Sequence, residues 1–469
     1  VVGRLSSPVV TQAAAAVRQR LAALFAEAVR AVDPRRVLPA RARLEADRFV
    51  FDCARAGEGR VVSLPMPDRR AGGRLRVLAI GKAAAASVAG LTAIPGMAEA
   101  VDEGWVVMPL GEDISGILPS GGATRWRSLH GEHPWPGAGS LDAGRAVLAV
   151  GADARPGDRH LVLLSGGASA LCVAPADGLT LADKDATLRA LMRAGASIVE
   201  LNTLRRHLSA LKGGRLGAAL AQGASLTLAI SDVPGDDPAL IGSGPTVPDP
   251  STFGDALAIL QHHGLTDRIP TAVRRHLEAG QAGHIAETPK PVTSHGASAS
   301  FALMGTLDDA LAAVVAAGAG QAQVVSWGRC LYGQVPEHAP QLAQALRALR
   351  ADGPMLLVAG GEPVLKVTGD GQGGRAQEFA LRLALELDGE PGITVLVAGT
   401  DGRDGPTDAA GGFADGGTIA RARRAGCDPL DALARNDSNH ALDAAGDLFA
   451  PGPTGTNVAD LVLAWVDRC

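Results

Sequence analysis

The chain is short of the residues that build cross-linked, aromatic or membrane-spanning proteins. Its five cysteines, Cys53, Cys172, Cys330, Cys427 and Cys469, are scattered and never form CxxC. An odd, dispersed set argues against a disulfide framework or a cysteine zinc site, so a reducing, cytoplasmic compartment is the expectation. Aromatic residues are only 3% of the total, which disfavours a sandwich built on aromatic packing. The 11 histidines include no HExxH, and His262-His263 reads as surface helix. No run approaches the ~18 uninterrupted apolar residues of a membrane-spanning helix. Net charge is −5, from 44 basic and 49 acidic residues, with no basic block. Nucleic acid is therefore not an expected partner, and a membrane is not either. No GxxxxGK[ST] loop occurs, which excludes a Walker A site.

What is abundant is glycine, at 60 of 469 residues, within 46% hydrophobic content. That length predicts two or three domains. Residues 13–32 carry Arg18, Arg20, Glu27 and Arg30 at helical spacing and read as an amphipathic helix, not a targeting segment. Short apolar runs at 76–80, 105–108, 160–164 and 225–230 alternate with helical stretches at 140–152, 182–199 and 204–222. The alternation predicts βαβ units around a parallel sheet, with active groups at the carboxyl ends of the strands. Residues 279–300 read as a linker. A second α/β set should follow, with strands at 301–305, 323–328, 354–360, 362–369, 393–399 and 460–466 and helices at 306–317, 337–351 and 375–387.

Several strand ends pass through small residues to a polar group. The turn "LLSGGASA" offers Ser165, Gly166, Gly167 and Ser169, either as an anion cradle or as an ordinary βα turn. Lys82 in "AIGKAAAA" opens a helix whose dipole repels a cation, an arrangement that a bound anion would relieve. "NTLRRHLSALKGGRL" should set Arg205 and Lys212 on one helical face. Its Gly213 and Gly214 would break the helix or admit another backbone. Asp232 follows a strand, with Asp236 and Asp237 nearby, and suits a hard cation such as Mg2+. Four more aspartates, Asp401, Asp404, Asp408 and Asp415, crowd a glycine-rich stretch after another strand. One or two of them are expected to reach an active cleft while the rest cap turns. Asp437 or Ser438 should cap a helix at 439–446.

Gly369, Gly371 and Gly374 satisfy GxGxxG, the basis for an alternative reading as an NAD(P)-dependent enzyme. Arg375 directly after the last glycine suits a triphosphate or a carboxylate better than a diphosphate packed on backbone.

Taken in order, "SGGASAL", "LSALKGGRL", "SDVPGDDP", "GSGPT", "GGEP", "GGRAQEFAL", "AGTDGRDGPTDAAGG" and "GTNVADL" resemble the motifs of glycerate 2-kinases of the bacterial, archaeal and animal type. Their C-terminal half is the MOFRL domain, and some members are labelled hydroxypyruvate reductases. The resemblance runs from about residue 75 to the end, with a matching N-terminal helix. It implies a Rossmann-like α/β/α domain over 11–285, a smaller mixed α/β MOFRL domain over 290–469, and an active site in the cleft between them. It also implies transfer from ATP to D-glycerate with a divalent cation, Mg2+, giving 2-phosphoglycerate. Carried over by motif, Lys82, Asp232 and Arg375 stand at the reacting centre. Lys82 and Arg375 would face the phosphoryl group and the substrate carboxylate. Asp232 would be the base or a metal ligand, with Asp401 a second metal candidate. Ser165, Gly166, Gly167, Ser169, Lys212 and Gly213 would cradle the nucleotide phosphates. One departure stands out: "GEHPWPGAGS" has Gly137 where the family pattern HPxPD has aspartate. The runner-up function is NAD(P)-dependent hydroxypyruvate reduction, and a homodimer is left open.

Overall fold

The computed structural model describes residues 12–53, 60–118, 125–291, 299–349 and 353–467. It divides into two compact units, Pro34–Met304 and Val1–Asp33 with Gly305–Cys469.

The larger unit carries a small antiparallel sheet of β1 (Ala42–Leu44), β2 (Arg48–Asp52) and β3 (Val61–Pro65). Its main sheet holds β4 (Leu75–Ile80), β5 (Glu103–Pro109), β6 (Trp126–Gly131), β7 (Arg159–Leu164), β8 (Ala224–Ile230) and β9 (Ala299–Gly305), in the order β6-β5-β4-β7-β8-β9. The ladders from β6 through β8 are all parallel. Every residue of β4 is buried, as a strand covered on both faces requires. Leu78, Ile80, Val107, Val162 and Leu164 pack with Val147, Leu216 and Leu220 of the helical layer.

Two helices differ from expectation. The stretch 182–199 breaks after Arg193 because Gly195 takes φ +82 and Ser197 with Glu200 forms a capping box for a new helix, Ile198–His207. That helix ends before Lys212, so Arg205 and Lys212 do not share a helical face. Ser209 Oγ accepts from Leu211 and Lys212 N–H, and Gly213 and Gly214 both have positive φ. The strand expected to open the second set, β9, instead edges the first sheet beside β8.

The smaller unit is built on β10 (Gln323–Leu331), β11 (Met355–Gly361), β12 (Ile393–Gly399), β13 (Gly411–Asp415), β14 (Leu448–Phe449) and β15 (Asp460–Val466), in the order β10-β11-β15-β12-β13-β14. The sheet is mixed: β10 and β11 are parallel, while β15 runs antiparallel to both β11 and β12. Residues 362–369 form no strand. Val364 and Val367 are exposed, and the Thr368 and Gly369 N–H groups donate to Asn436 Oδ1. Helix Gln12–Val32 packs in this unit, with Phe25 edge-on to Phe449 and Arg20 over Trp465. The expected boundaries, 11–285 and 290–469, place that helix in the preceding domain instead. Among the described residues no helix is long and apolar enough to cross a membrane.

Candidate functional site

In the larger unit the strand order reverses at β4: β5 and β6 lie to one side, β7 and β8 to the other. The crevice at the carboxyl ends of β4 and β7 is the switch point at which open α/β sheets bind ligands. Lys82 lies two residues past β4, and the Ser165 turn follows β7 directly. The register aligns Ile80 with Leu164 and Leu164 with Ala229, so Asp232, two residues past β8, stands one strand further along the same edge. Sequence reasoning found these positions because each follows a buried strand.

The two central turns are tied together. Lys82 N–H donates to the Gly166 carbonyl at 2.9 Å, and Ala83 N–H donates to Ser165 Oγ at 3.0 Å. A Cβ at Gly81, where φ is +129, would overlap Ser165. Ser165 is buried, so its hydroxyl joins the turns. The Lys82 stem runs past Gly167, where a Cβ would stand 3.1 Å from Lys82 Cγ and 3.3 Å from His133 Cδ2.

Behind this turn, Lys212 Nζ donates to the Ser169 carbonyl at 2.6 Å and to Ser169 Oγ at 2.8 Å. Ser169 Oγ lies 2.8 Å from Ser243 Oγ, which donates to Asn202 Oδ1 at 2.7 Å. Gly213 N–H donates to the Ser243 carbonyl at 3.1 Å, the close backbone approach that the glycine pair allows. Lys212, Gly213 and Ser169 therefore belong to one buried network, and burial pushes the Lys212 pKa well below its ordinary value.

In the smaller unit Arg375 opens helix Arg375–Glu386. Its guanidinium grips Asp460 through Nε at 2.7 Å and Nη2 at 3.0 Å, and Glu362 through Nη1 at 2.7 Å. Burial opposes that charge, but Asp460 and Glu362 outweigh it and raise the Arg375 pKa further. Sequence reading missed both partners, because each looks like an ordinary residue at a strand boundary.

The four clustered aspartates part company. Asp401 is half-buried beside Asp460: both carboxylates flank the spot a Gly399 Cβ would fill, at 3.3 and 3.4 Å. Asp404 is buried and accepts from Gln377 N–H at 2.8 Å and Gln377 Nε2 at 3.0 Å, so it fills the helix N-terminus. Asp408 is exposed. Asp415 is buried against Arg18 and Arg421.

Burial, and after it the Asp460 charge, pushes Asp404 up to about 6. Because its folded pKa lies above its unfolded value, Asp404 contributes stability below about pH 4 that is lost as pH rises through about 6. Asp404→Asn is expected to remove that loss, measured as a flatter stability curve between pH 4 and 7 in urea melts. An unchanged curve would mean that other groups set it.

Residues 20–278 match the model of a domain of unknown function, DUF4147, and residues 355–460 match the MOFRL family. A glycerate 2-kinase of Pyrococcus horikoshii is 32% identical over 94% of this chain and 96% of its own. The chain belongs to the MOFRL glycerate 2-kinase family. The crystal structure of a glycerate kinase from Thermotoga maritima shares its fold, with a TM-score of 0.76 and 30% identity, covering 96% of this chain and 100% of that one. An Agrobacterium vitis protein named "Putative hydroxypyruvate reductase" is 40% identical over 83% of this chain and 98% of its own.

That reductase name can be weighed against the glycine-rich loop of this MOFRL protein. No strand leads into Gly369. A Cβ at Gly369 would overlap Arg435, one at Gly371 would overlap Asp437, and one at Gly374 would overlap the Asp404 carboxylate. The glycines admit the protein's own backbone and a capping carboxylate, and the helix N-terminus that a dinucleotide diphosphate would use is taken.

The family's HPxPD segment also finds its explanation. Gly137 caps helix Ala138–Ala152, and a Cβ there would meet the Glu132 carboxylate. Glu132 accepts from Gly139 N–H at 3.1 Å and Ser140 N–H at 3.0 Å, serving the helix end as a capping aspartate would. Burial raises its pKa, but the bonds from Ser140 and Gly139 outweigh this and hold it at about 2. Gly137→Asp should put two carboxylates in one place and destabilise the protein by ~1–2 kcal/mol. Adding Glu132→Ala should restore most of the loss in thermal melts, and failure of that rescue would remove Glu132 from the capping role.

Proposed function

We propose that the protein transfers the terminal phosphoryl group of ATP to the C2 hydroxyl of D-glycerate, giving 2-phosphoglycerate and ADP. The observation that carries this reading is Lys82 beside the Ser165–Gly167 turn at the β4/β7 switch point, in a chain that matches a glycerate 2-kinase along nearly its full length.

Phosphoryl transfer needs positioning and charge neutralisation more than covalent chemistry. From the larger unit we assign Lys82 to neutralise charge on the transferring phosphoryl group or the substrate carboxylate. The Ser165–Ser169 turn, with Lys212 and Gly213 behind it, holds phosphate oxygens. Asp232 either accepts the hydroxyl proton or binds the cation that accompanies ATP. From the smaller unit we assign Arg375, whose guanidinium plane is fixed by Asp460 and Glu362, to neutralising anionic charge on the reactants. Asp232 and Asp401 are half-buried carboxylates just past strand ends, and such oxygen donors fit Mg2+. When bound, Mg2+ would supply charge neutralisation on the phosphate oxygens.

The test mixes protein, Mg-ATP and D-glycerate, follows ADP, and assigns the phosphorylated carbon by NMR. A parallel reaction follows NADH absorbance with hydroxypyruvate. ADP formation with a 2-phosphate product supports the proposal. NADH oxidation without ADP formation would replace it with the reductase.

A further inference from the structure

The helical layer beside the Ser165–Ser169 turn holds three basic side chains that no acid among the described residues pairs. Lys184, on helix Leu181–Arg193, is 3% exposed, and its Nζ has no hydrogen-bond partner among the described residues. Arg205, on helix Ile198–His207, makes no hydrogen bond or ion pair among the described residues. Lys212 is 2% exposed, and among the described residues its Nζ reaches only the Ser169 carbonyl and hydroxyl. Lys184 and Arg205 both lie close enough to Lys212 for their charges to act on it.

The groups around them do not neutralise this charge. The Cys172 thiol, buried near Lys212, is pushed up to about 12 by burial and stays uncharged. Asp185 acts on Lys184 only at range, with no ion pair between them among the described residues. Arg206, the next residue, shows the contrast: its Nε lies 3.0 Å from Asp249 Oδ1. Burial and then Arg205 bring the Lys184 pKa down to about 7. An unpaired buried ammonium is costly. Buried ionisable groups with strongly perturbed titration cluster at functional sites.

We infer that Lys184, Arg205 and Lys212 form an oxyanion subsite next to Ser169, which takes a phosphate or carboxylate group of the reactants. This deepens the proposed function and rests on its placement of anionic reactants at the Ser165–Ser169 turn. The shared chemistry is a compact oxyanion desolvated among three basic side chains, with Ser169 Oγ as a further donor. Two sources fit: a phosphate of the nucleotide, or the carboxylate of the hydroxy acid.

The experiment measures binding of inorganic phosphate, D-glycerate and a non-hydrolysable Mg-ATP analogue by calorimetry, to wild type and to Lys184→Met and Arg205→Met. Methionine keeps the apolar stem and removes the charge. Each variant is expected to melt no lower than wild type and to bind at least one of the three ligands about 10- to 100-fold more weakly. A loss confined to D-glycerate assigns the carboxylate, and a loss confined to the analogue assigns a nucleotide phosphate. Losses below tenfold for all three ligands in both variants, or a wild type that binds none of them, would overturn the subsite. If wild type forms no ADP with D-glycerate and the binding losses still appear, the subsite stands and the kinase reading fails. Full kinase activity without those losses removes the subsite and leaves the kinase reading in place.

Discussion

Lys82→Ala should lower kcat by about 10²–10³, ~3–4 kcal/mol of transition-state stabilisation, with the melting temperature nearly unchanged. The reason lies in how the residue is held. Its backbone is fixed by the bond to the Gly166 carbonyl, which alanine keeps, and Ala83 N–H still reaches Ser165. What is lost is the charge at the switch point and the stem that runs past Gly167. Arg375→Ala should cost a similar factor in rate but behave differently in a melt. It leaves Asp460 and Glu362 without the guanidinium that pairs both, so stability should fall with activity. Measuring kcat and urea unfolding for both variants separates the loss of rate from the loss of stability. Near-normal turnover in Lys82→Ala would remove Lys82 from the site.

Lys82 and the Ser165 turn were legible because they sit at the ends of strands buried on both faces. The runs 76–80 and 160–164 are continuous and apolar, and the polar residue that follows has to leave the core. The same reasoning failed at 362–369, where the apolar residues are exposed and Asn436, far along the chain, claims the backbone donors. It also passed over β13, whose Gly411 and Gly412 have little intrinsic strand preference and which is held by pairing to β12. Lys184 gave no signal, and Arg205 was paired with Lys212 only through a helical face that does not exist, because the helix opened by the Ser197 cap after Gly195 ends at His207. The four aspartates share one local context in sequence. Their separate roles come from long-range partners: Asp404 from Gln377, and Asp415 from Arg18.

That last pair should also be among the most stability-sensitive sites in the chain. Arg18 Nη2 lies 2.6 Å from Asp415 Oδ2 and 2.7 Å from Asp447 Oδ1. Arg421 Nη2 closes the ring at 3.0 Å from Asp415 Oδ1 and 2.6 Å from Asp447 Oδ2. All four groups are buried, two charges balance two, and Arg18 also lies over the Phe413 ring. Arg18→Met should therefore leave one buried negative charge unmatched and cost ~3–5 kcal/mol in urea unfolding. Arg20→Ala on the same helix, half-buried over Trp465, should cost only about 1 kcal/mol. Adding Asp415→Asn to Arg18→Met restores the charge balance and should recover part of the loss, a coupling that a double-mutant cycle reads directly. Burial raises the Asp415 pKa, but Arg18 and Arg421 outweigh it and hold it below the usual range. Its stabilisation is thus present above about pH 4 and lost as pH falls through the depressed value. In Arg18→Met that acid-side loss should begin at higher pH. A cost below about 1 kcal/mol with no shift in the acid limb would mean that the ring contributes nothing beyond its packing.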